Sequence, residues 1–315
     1  MQEKNDQPVN PRSRMRTFLR AAFVVVALLT VYHLSTTALA ARWDAKAPRD
    51  PDTGILIGAE PRDLGPGDAT AAVLLVHGIL GGGSNFGELP DRLVEAGAHV
   101  RIMRLPGHGT TPTDLAKTSP DELFQAVLAE ARALRARHEK VIVIGHSMGG
   151  TLSTLVAAAP DTNLDGLILA APYFGVTHRW YYGLRPEQWT KLTSPVVRWT
   201  YKGKPFFGLN RREAIPDILS YRWTPAKGFL TMIELGERAN ETQTLDAVTC
   251  PVLMLHGQDD RAAALGEARR AFEAMASETK TFTTLENSDH HLFWDHDRER
   301  VITVVVRFVE TVAAN

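Results

Sequence analysis

The sequence of 315 residues contains a single cysteine, Cys250. One cysteine excludes an intramolecular disulfide, so the fold depends on burial of the apolar residues that make up 44 % of the chain. The 35 lysines and arginines are balanced by 36 aspartates and glutamates, and the formal net charge of −1 gives no support for nucleic-acid binding. A chain of this length and composition can form one α/β domain with a full core.

Phosphate-binding and metal-binding motifs are also missing. The glycines at 81–83 fit neither G-x-G-x-x-G nor G-x-x-x-x-G-K-S/T, so the common phosphate loops are excluded there. Ser84 and Asn85 instead predict the capped start of a helix through Leu89, Leu93 and Val94. A metal site is not indicated, because no carboxylate or cysteine spacing completes a ligand set around the clustered histidines His290, His291 and His296.

Long apolar runs are absent except near the N-terminus, at residues 21–34. Basic residues flanking such a run stay on the cytoplasmic side of a membrane, so the rest of the chain is predicted to be exported. We predict a basic cytoplasmic N-terminus at 1–17 and a transmembrane signal anchor at 18–41, long enough to span a bilayer with some tilt. The basic residues before the run are Arg12, Arg14, Arg16 and Arg20.

A cleavable signal peptide is the alternative interpretation of this run, because Ala38-Leu39-Ala40 offers a small-residue cleavage site. The anchor predicts a single-pass protein of a bacterial-type inner membrane with a periplasmic catalytic domain, and cleavage after Ala40 predicts a secreted one. The single cysteine fits either oxidising location. If the anchor is kept, residues 42–53 form a linker that reaches at most roughly 40 Å and holds the catalytic domain near the bilayer.

A serine between glycines, in Gly145-His146-Ser147-Met148-Gly149, directly follows the apolar run 141–144. Four consecutive β-branched residues predict a buried parallel strand. The turn that follows is so crowded that only glycine fits two residues before and after the serine. It would place the Ser147 hydroxyl at the carboxyl end of the sheet. A glycine-rich turn with an incidental serine has the same pattern, so the function depends on the partners of Ser147.

The serine needs a base, and the base needs a carboxylate that orients it. Two carboxylates, Asp259 and Asp260, follow the predicted strand 252–257. Asp260 lies three residues past Gly257, the usual position of the acid at the tip of this strand. We predict Asp260 as the acid and keep Asp259 as the alternative.

The base is predicted in the polar loop after another strand, at 281–285. His290 and His291 both lie in this loop, where a histidine would hang over Ser147. The arrangement Asn287-Ser288-x-His favours His290, with His291 as the alternative.

Two backbone amides must stabilise the negative charge that develops on the substrate oxygen. One should belong to Met148, directly after the serine. The other should belong to Ile79, in the turn that follows the predicted strand 73–76. Together these residues predict acyl transfer to a serine.

The chain resembles the α/β-hydrolase superfamily, and within it the monoacylglycerol lipases and carboxylesterases. This resemblance implies Ser147, Asp260 and His290 as catalytic residues, with Ile79 and Met148 as oxyanion donors. It implies no metal and no cofactor. The segments that carry it occur in the family's order from about residue 54 onward, at 75–78, 105–110, 145–150, 252–257 with Asp260, and 287–290. Three adjoining residues are predicted to bind substrate, namely His77, Gly78 and His146.

The predicted fold is an α/β-hydrolase fold, a mostly parallel, doubly wound sheet in a catalytic domain at 54–315. Strands alternate with amphipathic stretches such as 121–137, which is typical of parallel sheets. The segment from about 173 to 235 is too long for a plain loop, and we predict that it forms an inserted helical cap over Ser147. The cap is rich in aromatic residues: Trp180, Tyr181, Tyr182, Trp189, Trp199, Tyr201, Phe206, Phe207, Tyr221 and Trp223.

The predicted function is hydrolysis of carboxylic esters of acyl lipids at a membrane surface, on monoacylglycerols, lysophospholipids, phospholipids or medium-chain esters. Aromatic and basic residues are interleaved in the cap, which also suits contact with lipid headgroups. The alternatives are a periplasmic short-chain carboxylesterase, a proline-aminopeptidase-like peptidase, a hydrolase of carbon–carbon bonds and a non-catalytic, membrane-tethered binding module. A single-span anchor with an apolar cap would also support a homodimer.

Overall fold

The computed structural model describes residues 11–177, 183–203 and 208–315. Its strands form a central seven-stranded sheet of order β1-β3-β2-β4-β5-β8-β9 and a separate antiparallel pair, β6-β7, which has a long connection between its strands and is named the hairpin below. The strands are β1 (Arg62–Leu64), β2 (Ala71–Val76), β3 (His99–Ile102), β4 (Lys140–His146), β5 (Gly166–Ala170), β6 (Trp199–Tyr201), β7 (Trp223–Pro225), β8 (Val252–Gly257) and β9 (Lys280–Leu285).

The central sheet is parallel except for β1, which pairs with β3 in the antiparallel direction. The strands β2, β4 and β8 are buried along almost their whole length, as their continuous apolar runs predict. Because the strands are parallel, the carboxyl ends of β4, β8 and β9 lie at the same edge. The loops that leave this edge carry the three predicted catalytic residues.

Helices cover both faces of the sheet. The helices α4, α5 and α9 pack on one face, and α2 and α10 pack on the other, each with its own apolar cluster. The helices are α1 (Pro11–Asp44), α2 (Leu89–Glu95), α3 (Pro112–Lys117), α4 (Pro120–Arg135), α5 (Met148–Ala157), α6 (Pro186–Thr193), α7 (Ala226–Ala239), α8 (Thr242–Asp246), α9 (Leu265–Ala274) and α10 (Arg298–Ala314). The predicted doubly wound architecture is confirmed.

The predicted cap lies between β5 and β8. It contains α6, a 3₁₀ turn at Arg212–Asp217 and α7, as an inserted helical segment should. It also contains the antiparallel hairpin β6-β7, which the prediction of a helical cap omitted. Aromatic and β-branched residues in both strands favour this extended pairing. Five predicted cap aromatics lie outside the described residues: Trp180, Tyr181, Tyr182, Phe206 and Phe207.

The long N-terminal helix α1 consists of two structurally different halves. Its stretch Met15–Asp44 is long and apolar enough to cross a membrane. The large apolar side chains in its first half are exposed, whereas Thr36 and Ala40 are only 8 % and 3 % exposed. Residues four apart share one helix face, and this face packs on the catalytic domain. At the end of the helix, the rings of Trp43 and Tyr221 meet edge to face at 6.0 Å.

Residues 42–53, predicted as a linker, follow the surface of the catalytic domain closely. They include the last turn of α1. Arg49 forms an ion pair with Asp44 at 2.5 Å and donates a hydrogen bond to the carbonyl of Thr110 at 2.9 Å. Just beyond, the Leu56 side chain is 1 % exposed. The helix α1 is thus joined to the catalytic domain through packed contacts as well as through the chain.

Candidate active site

Ser147 lies at the sharp turn between β4 and α5, with φ 55° and ψ −122°. This is a strained conformation for a residue with a side chain, and such strain occurs at functional sites. The flanking glycines make the turn possible. A Cβ on Gly145 would lie 2.3 Å from the Gly149 carbonyl oxygen, and a Cβ on Gly149 would lie 2.0 Å from that of Val76. The turn is therefore too crowded for a side chain at either position, as the sequence predicted.

A chain of hydrogen bonds runs from this serine through an imidazole to a carboxylate. Ser147 Oγ lies 2.9 Å from Nε2 of His290. The other ring nitrogen, Nδ1, lies 2.9 Å from Oδ2 of Asp260. The three residues are 5–7 % exposed. In this arrangement His290 can accept the serine proton while Asp260 holds its ring.

Asp260 is held as an oriented carboxylate. Burial raises the pKa of Asp260, but the nearby His290 and His256 and the hydrogen bonds that Asp260 accepts outweigh burial and leave the pKa below its ordinary value. Its second oxygen, Oδ1, accepts hydrogen bonds from the amides of Ala262 and Ala263, each at 2.8 Å. An ionised carboxylate fixed at both oxygens selects one tautomer and one orientation of the imidazole.

The two alternative residues lie elsewhere. Asp259 is exposed at the surface of the turn after β8. His291 is buried, and its ring centroid lies 5.6 Å from that of His290. Burial holds the pKa of His291 well below its ordinary value, so its ring is neutral. The geometry thus brings Asp260 and His290 to Ser147.

The predicted oxyanion donors are two backbone amides with no partner. Neither the Ile79 nor the Met148 N–H donates a hydrogen bond to any group in the part of the chain that the structure describes. Met148 begins α5, and the first amides of a helix lack an intrahelical acceptor. Gly78 brings the other turn close, because a Cβ there would lie 2.9 Å from Cβ of Ser147. Two free amides near a nucleophile suit a developing negative charge.

The turn that carries Ile79 is held by residues for which we predicted another role. Ser84 and Asn85 lie in a 3₁₀ turn at Gly83–Phe86, while α2 begins after Glu88, so the predicted helix cap is wrong. The Asn85 side chain instead accepts a hydrogen bond from the Gly78 amide at 3.2 Å, and that of Ser84 accepts one from the Leu219 amide at 2.9 Å. Short polar side chains bond to backbone in loops as readily as at helix starts.

His77 and His146, predicted as substrate-binding residues, are 0 % and 1 % exposed. Both rings are neutral because burial lowers the pKa of each to about 3. Nε2 of His77 accepts a hydrogen bond from the Leu105 amide, so its proton is on Nδ1, which donates to the Gly78 carbonyl at 2.9 Å. The His146 ring contacts the His290 carbonyl at 3.1 Å. These contacts position neighbouring backbone, and substrate contact by either ring stays a prediction.

The cap holds the loop of His290 through backbone contacts that sequence reasoning missed. The Gly208 carbonyl accepts hydrogen bonds from the amides of His290 at 3.0 Å and His291 at 3.1 Å. Two residues further, the amides of Asn210 and Arg211 donate to the Asp295 carboxylate, each at 2.9 Å. No residue type in this segment signals such contacts, because backbone donors and acceptors are common to all residues.

A cavity of about 670 Å³ lies between α6, α7 and α9. Tyr173, Phe174 and Ile233 contribute apolar walls, and Glu187, Glu237 and Arg270 contribute charges. None of the predicted catalytic residues lines this cavity. Within the described ranges, no group of three or more His, Cys, Asp or Glu side chains is arranged to hold a metal ion.

The fold and the serine site define the class of this protein, which is an α/β-hydrolase of the serine hydrolase type. The chain belongs to the family Hydrolase_4, described as serine aminopeptidase, S33, which matches residues 67–297. The match covers the strands β2 to β9, the predicted cap and the loops of all three predicted catalytic residues.

Characterised relatives extend over most of the chain. A thermostable monoacylglycerol lipase of Bacillus sp. (strain H-257) is 28 % identical over 265 residues, which are 81 % of this chain and 95 % of that protein. A carboxylesterase of Bacillus subtilis (strain 168) is 22 % identical over 76 % of this chain and 92 % of its own. A metagenome-derived lipolytic enzyme of the LipS and LipT study has the same fold, with a TM-score of 0.72, 24 % identity and coverage of 82 % and 99 %. The predicted class, a carboxylic ester hydrolase, is confirmed.

Proposed function

We propose that this protein hydrolyses carboxylic esters of acyl lipids through an acyl-enzyme on Ser147. The observation that carries the proposal is the hydrogen-bonded chain from Ser147 through His290 to Asp260, with 2.9 Å at each step. A buried carboxylate, an imidazole and a serine in this order form the arrangement that nucleophilic catalysis of acyl transfer uses.

The reaction has two steps. His290 takes the Ser147 proton at Nε2 as the hydroxyl oxygen attacks the ester carbonyl, and the amides of Ile79 and Met148 donate to the oxyanion. His290 then gives this proton to the leaving alcohol, and the tetrahedral intermediate collapses to the acyl-enzyme. Water then attacks the acyl-enzyme and gives a proton to the same nitrogen. As the bond between Ser147 Oγ and the acyl carbon breaks, His290 returns this proton to Oγ and the carboxylic acid leaves. Asp260 stays ionised and stabilises the imidazolium that forms in each step.

Acyl lipids are the proposed substrate class for two reasons. One relative that matches this chain over 95 % of its own length is a monoacylglycerol lipase. In addition, α1 has the length and composition of a membrane span and is packed on the catalytic domain. Monoacylglycerols, lysophospholipids, phospholipids and medium-chain esters are all within this class.

The proposed location is the inner membrane of a bacterial-type cell, with the catalytic domain on the extracytoplasmic side. Ala40 supports retention of the anchor over cleavage, because its side chain is 3 % exposed in the packed half of α1. Cleavage after Ala40 would remove the buried side chain of Thr36 from the catalytic domain. Homodimer formation stays a prediction that sedimentation in detergent would test.

A hydrolysis profile of the detergent-solubilised, full-length protein tests the proposal, with Ser147→Ala as the blank. The panel contains p-nitrophenyl esters of increasing chain length, a monoacylglycerol, a phosphatidylethanolamine and a prolyl p-nitroanilide. Serine-dependent hydrolysis of the lipids and longer esters is expected. Activity confined to short esters would contradict the lipid assignment and leave a short-chain carboxylesterase. Activity confined to the anilide would identify an aminopeptidase.

The Ser147→Ala variant is expected to lose hydrolysis by a factor of about 10⁴ or more, because the acyl-enzyme cannot form. Its thermal unfolding midpoint should stay close to that of the parent protein, since the substitution removes only the hydroxyl group and leaves the backbone and Cβ in place. Retained turnover would contradict the role of Ser147. Labelling of the parent protein, but not of the variant, by a fluorophosphonate would separate a catalytic serine from a non-catalytic binding module.

A further inference from the structure

The hairpin β6-β7 of the cap is joined to the middle of the anchor helix. The Tyr32 hydroxyl donates a hydrogen bond to the carbonyl of Trp199 at 3.4 Å, and the Trp199 indole Nε1 donates to Oγ1 of Thr37 at 3.1 Å. Tyr32 and Thr37 are more than one helical turn apart. Both contacts hold Trp199, the first residue of β6, beside α1.

The height of these contacts along α1 has a consequence for the membrane. The uncharged stretch of α1 runs from Ala21 to Ala41, between Arg20 and Arg42. At about 1.5 Å per residue it is about 30 Å long, which matches the hydrocarbon layer of a bilayer. Tyr32 lies near the middle of this stretch, and Thr37 lies about 7 Å before its end. If the stretch spans the bilayer, Trp199 lies below the headgroups of the extracytoplasmic leaflet.

The exposed apolar side chains of the catalytic domain point to the same conclusion. Outside α1, the large apolar residues that are exposed in the described ranges are Ile57, Leu192, Val196 and Tyr201, at 59 %, 63 %, 42 % and 55 %. Three of these four lie within the short segment formed by the end of α6, the following turn and β6. Scattered exposed apolar residues are normal, but a group on one element marks an interaction surface.

The charges and polar groups around this group suit a bilayer. Arg198 is exposed beside it and forms no ion pair within the described part of the chain, so its guanidinium is available to an anionic headgroup. The edge of β6 would be costly to leave bare in hydrocarbon, where each unsatisfied backbone group loses its hydrogen bonds. The Tyr32 hydroxyl supplies a donor to the Trp199 carbonyl on this strand.

We propose that Leu192, Val196, Trp199 and Tyr201, here named the hairpin surface, enter the extracytoplasmic leaflet of an anionic phospholipid bilayer beside α1. This inference rests on the proposed function, because it requires α1 to span the membrane. It specifies how the catalytic domain meets its substrate. The helix α1 holds the cap at a fixed depth, so β6 is in contact with the leaflet. Gly208 follows β6 in the chain, and its carbonyl accepts hydrogen bonds from the His290 loop.

Depth-dependent quenching of a fluorescent label tests this directly. The chain has one cysteine, Cys250, so a Cys250→Ser background gives a single labelling site for each added cysteine. An environment-sensitive fluorophore is placed at Val196→Cys or Tyr201→Cys in the full-length protein. The protein is reconstituted in phosphatidylethanolamine and phosphatidylglycerol vesicles that carry nitroxide lipids of shallow or deep position.

Two further labels act as matched controls. Glu278→Cys, on the exposed turn before β9, reports a surface of the catalytic domain where no large apolar side chain of the described residues is exposed. Leu28→Cys, whose parent side chain is 64 % exposed, reports whether α1 crosses the bilayer. Serine-dependent hydrolysis of a p-nitrophenyl ester is measured on each labelled protein to show that the site is intact.

The labels at Val196 and Tyr201 are expected about 5–10 Å below the headgroup boundary, with the label at Glu278 unquenched. Quenching at Leu28 together with quenching at Val196 and Tyr201 no stronger than at Glu278 would overturn the proposal while leaving the membrane span in place. No quenching at Leu28 would overturn the span and the hairpin insertion together. In that case, retained ester hydrolysis would show that the enzymatic part of the proposed function still holds.

Discussion

His77 acts on an amide that belongs to another residue. The Gly78 carbonyl and the Ile79 N–H are parts of one planar peptide unit, so any group that fixes the carbonyl also fixes the direction of the N–H. Nδ1 of His77 donates to that carbonyl at 2.9 Å, while the Leu105 amide fixes the tautomer through Nε2. His77 is therefore a positioning residue for the proposed oxyanion donor.

Substitution of His77 by phenylalanine keeps an aromatic ring but removes both hydrogen bonds. Loss of one oxyanion donor costs about 10²–10³ in kcat, and misdirection of the Ile79 amide should cost a factor up to this size. KM should change little, because the oxyanion forms only in the transition state. Steady-state kinetics on a p-nitrophenyl ester measures both quantities.

The matched control is His108→Phe. The His108 ring packs edge to face on that of His77 at 5.1 Å, but its Nδ1 contacts the Pro106 carbonyl and not the 78–79 peptide. This variant should lose stability and keep kcat. Equal losses of kcat in the two variants would show that His77 contributes only to packing.

Asp259 and Asp260 are adjacent in sequence, but Asp260 is buried against His290 and Asp259 is exposed to solvent. Asp260→Asn keeps the size of the side chain and removes the charge that faces His290, so the imidazole loses its fixed tautomer. We expect kcat to fall by about 10⁴. Asp259→Asn should change kcat less than about two-fold, since exposed substitutions away from the site have little effect. A large loss in the Asp259 variant would contradict the assignment of the acid.

At the scale of elements, the cap and the catalytic loop behave as one structural unit. Gly208 has φ +41°, and a Cβ there would lie 2.8 Å from Cβ of His290. The same residue accepts the amides of His290 and His291 through its carbonyl. The cap therefore helps to fix the position of His290, the proposed base.

Gly208→Ala should displace the His290 loop and lower kcat by about ten-fold or more, since a misplacement near 1 Å has a large effect on catalysis. Gly183→Ala is the matched control in the same cap, because Gly183 also has a positive φ, +81°, but no atom of the described residues lies within 4 Å of its Cβ position. That variant should lose about 1 kcal/mol of stability through backbone strain and keep kcat. Kinetics and thermal unfolding of both variants, side by side, measure the difference. Unchanged kcat in Gly208→Ala would show that this cap residue does not position His290.

At the scale of the whole molecule, several histidines are buried as neutral rings. Burial lowers the pKa of His77 and His146 to about 3 and that of His108 to about 4, and it also lowers the pKa of His256 and His291. The ordinary value for these rings is 6.5. Between that value and the lowered pKa, the unfolded chain binds protons that the folded chain does not bind. Folding is therefore most favourable above pH 6.5 and weakens as the pH falls toward the lowered values.

The full-length protein in detergent is expected to unfold at a lower urea concentration at about pH 5 than at about pH 7.5. Below pH 6.5, the free energy of unfolding should fall by about 1 kcal/mol per pH unit for each such histidine. Tryptophan fluorescence in urea titrations at both pH values measures the change. The dependence should be weaker in His108→Phe, which has one such ring fewer. A midpoint that is the same at both pH values would show that these rings take up protons in the folded state.

Much of the fold follows from local sequence pattern. Continuous β-branched and apolar runs identified β2, β4 and β8, because strands buried on both faces have little room for polar residues. The hairpin β6-β7 was missed, since three-residue strands are too short for a periodic signal. Ser84 and Asn85 were misassigned because their side chains bond to distant backbone in the fold, at Leu219 and Gly78.

By itself, the sequence determined the class of fold, the strained serine turn and the order of the proposed catalytic residues, because each strand and the turn after it is recognisable from a local pattern of residues. Glycines two residues from Ser147 are required by contacts within one turn and its neighbouring strand. The tertiary structure decided which of two aspartates and which of two histidines reach Ser147. It also decided that His77 lies beneath the site, that Gly208 holds the His290 loop and that α1 is docked on the cap. Such contacts join residues far apart in sequence, and only the packing of strands, cap and helix brings their donors and acceptors within bonding distance.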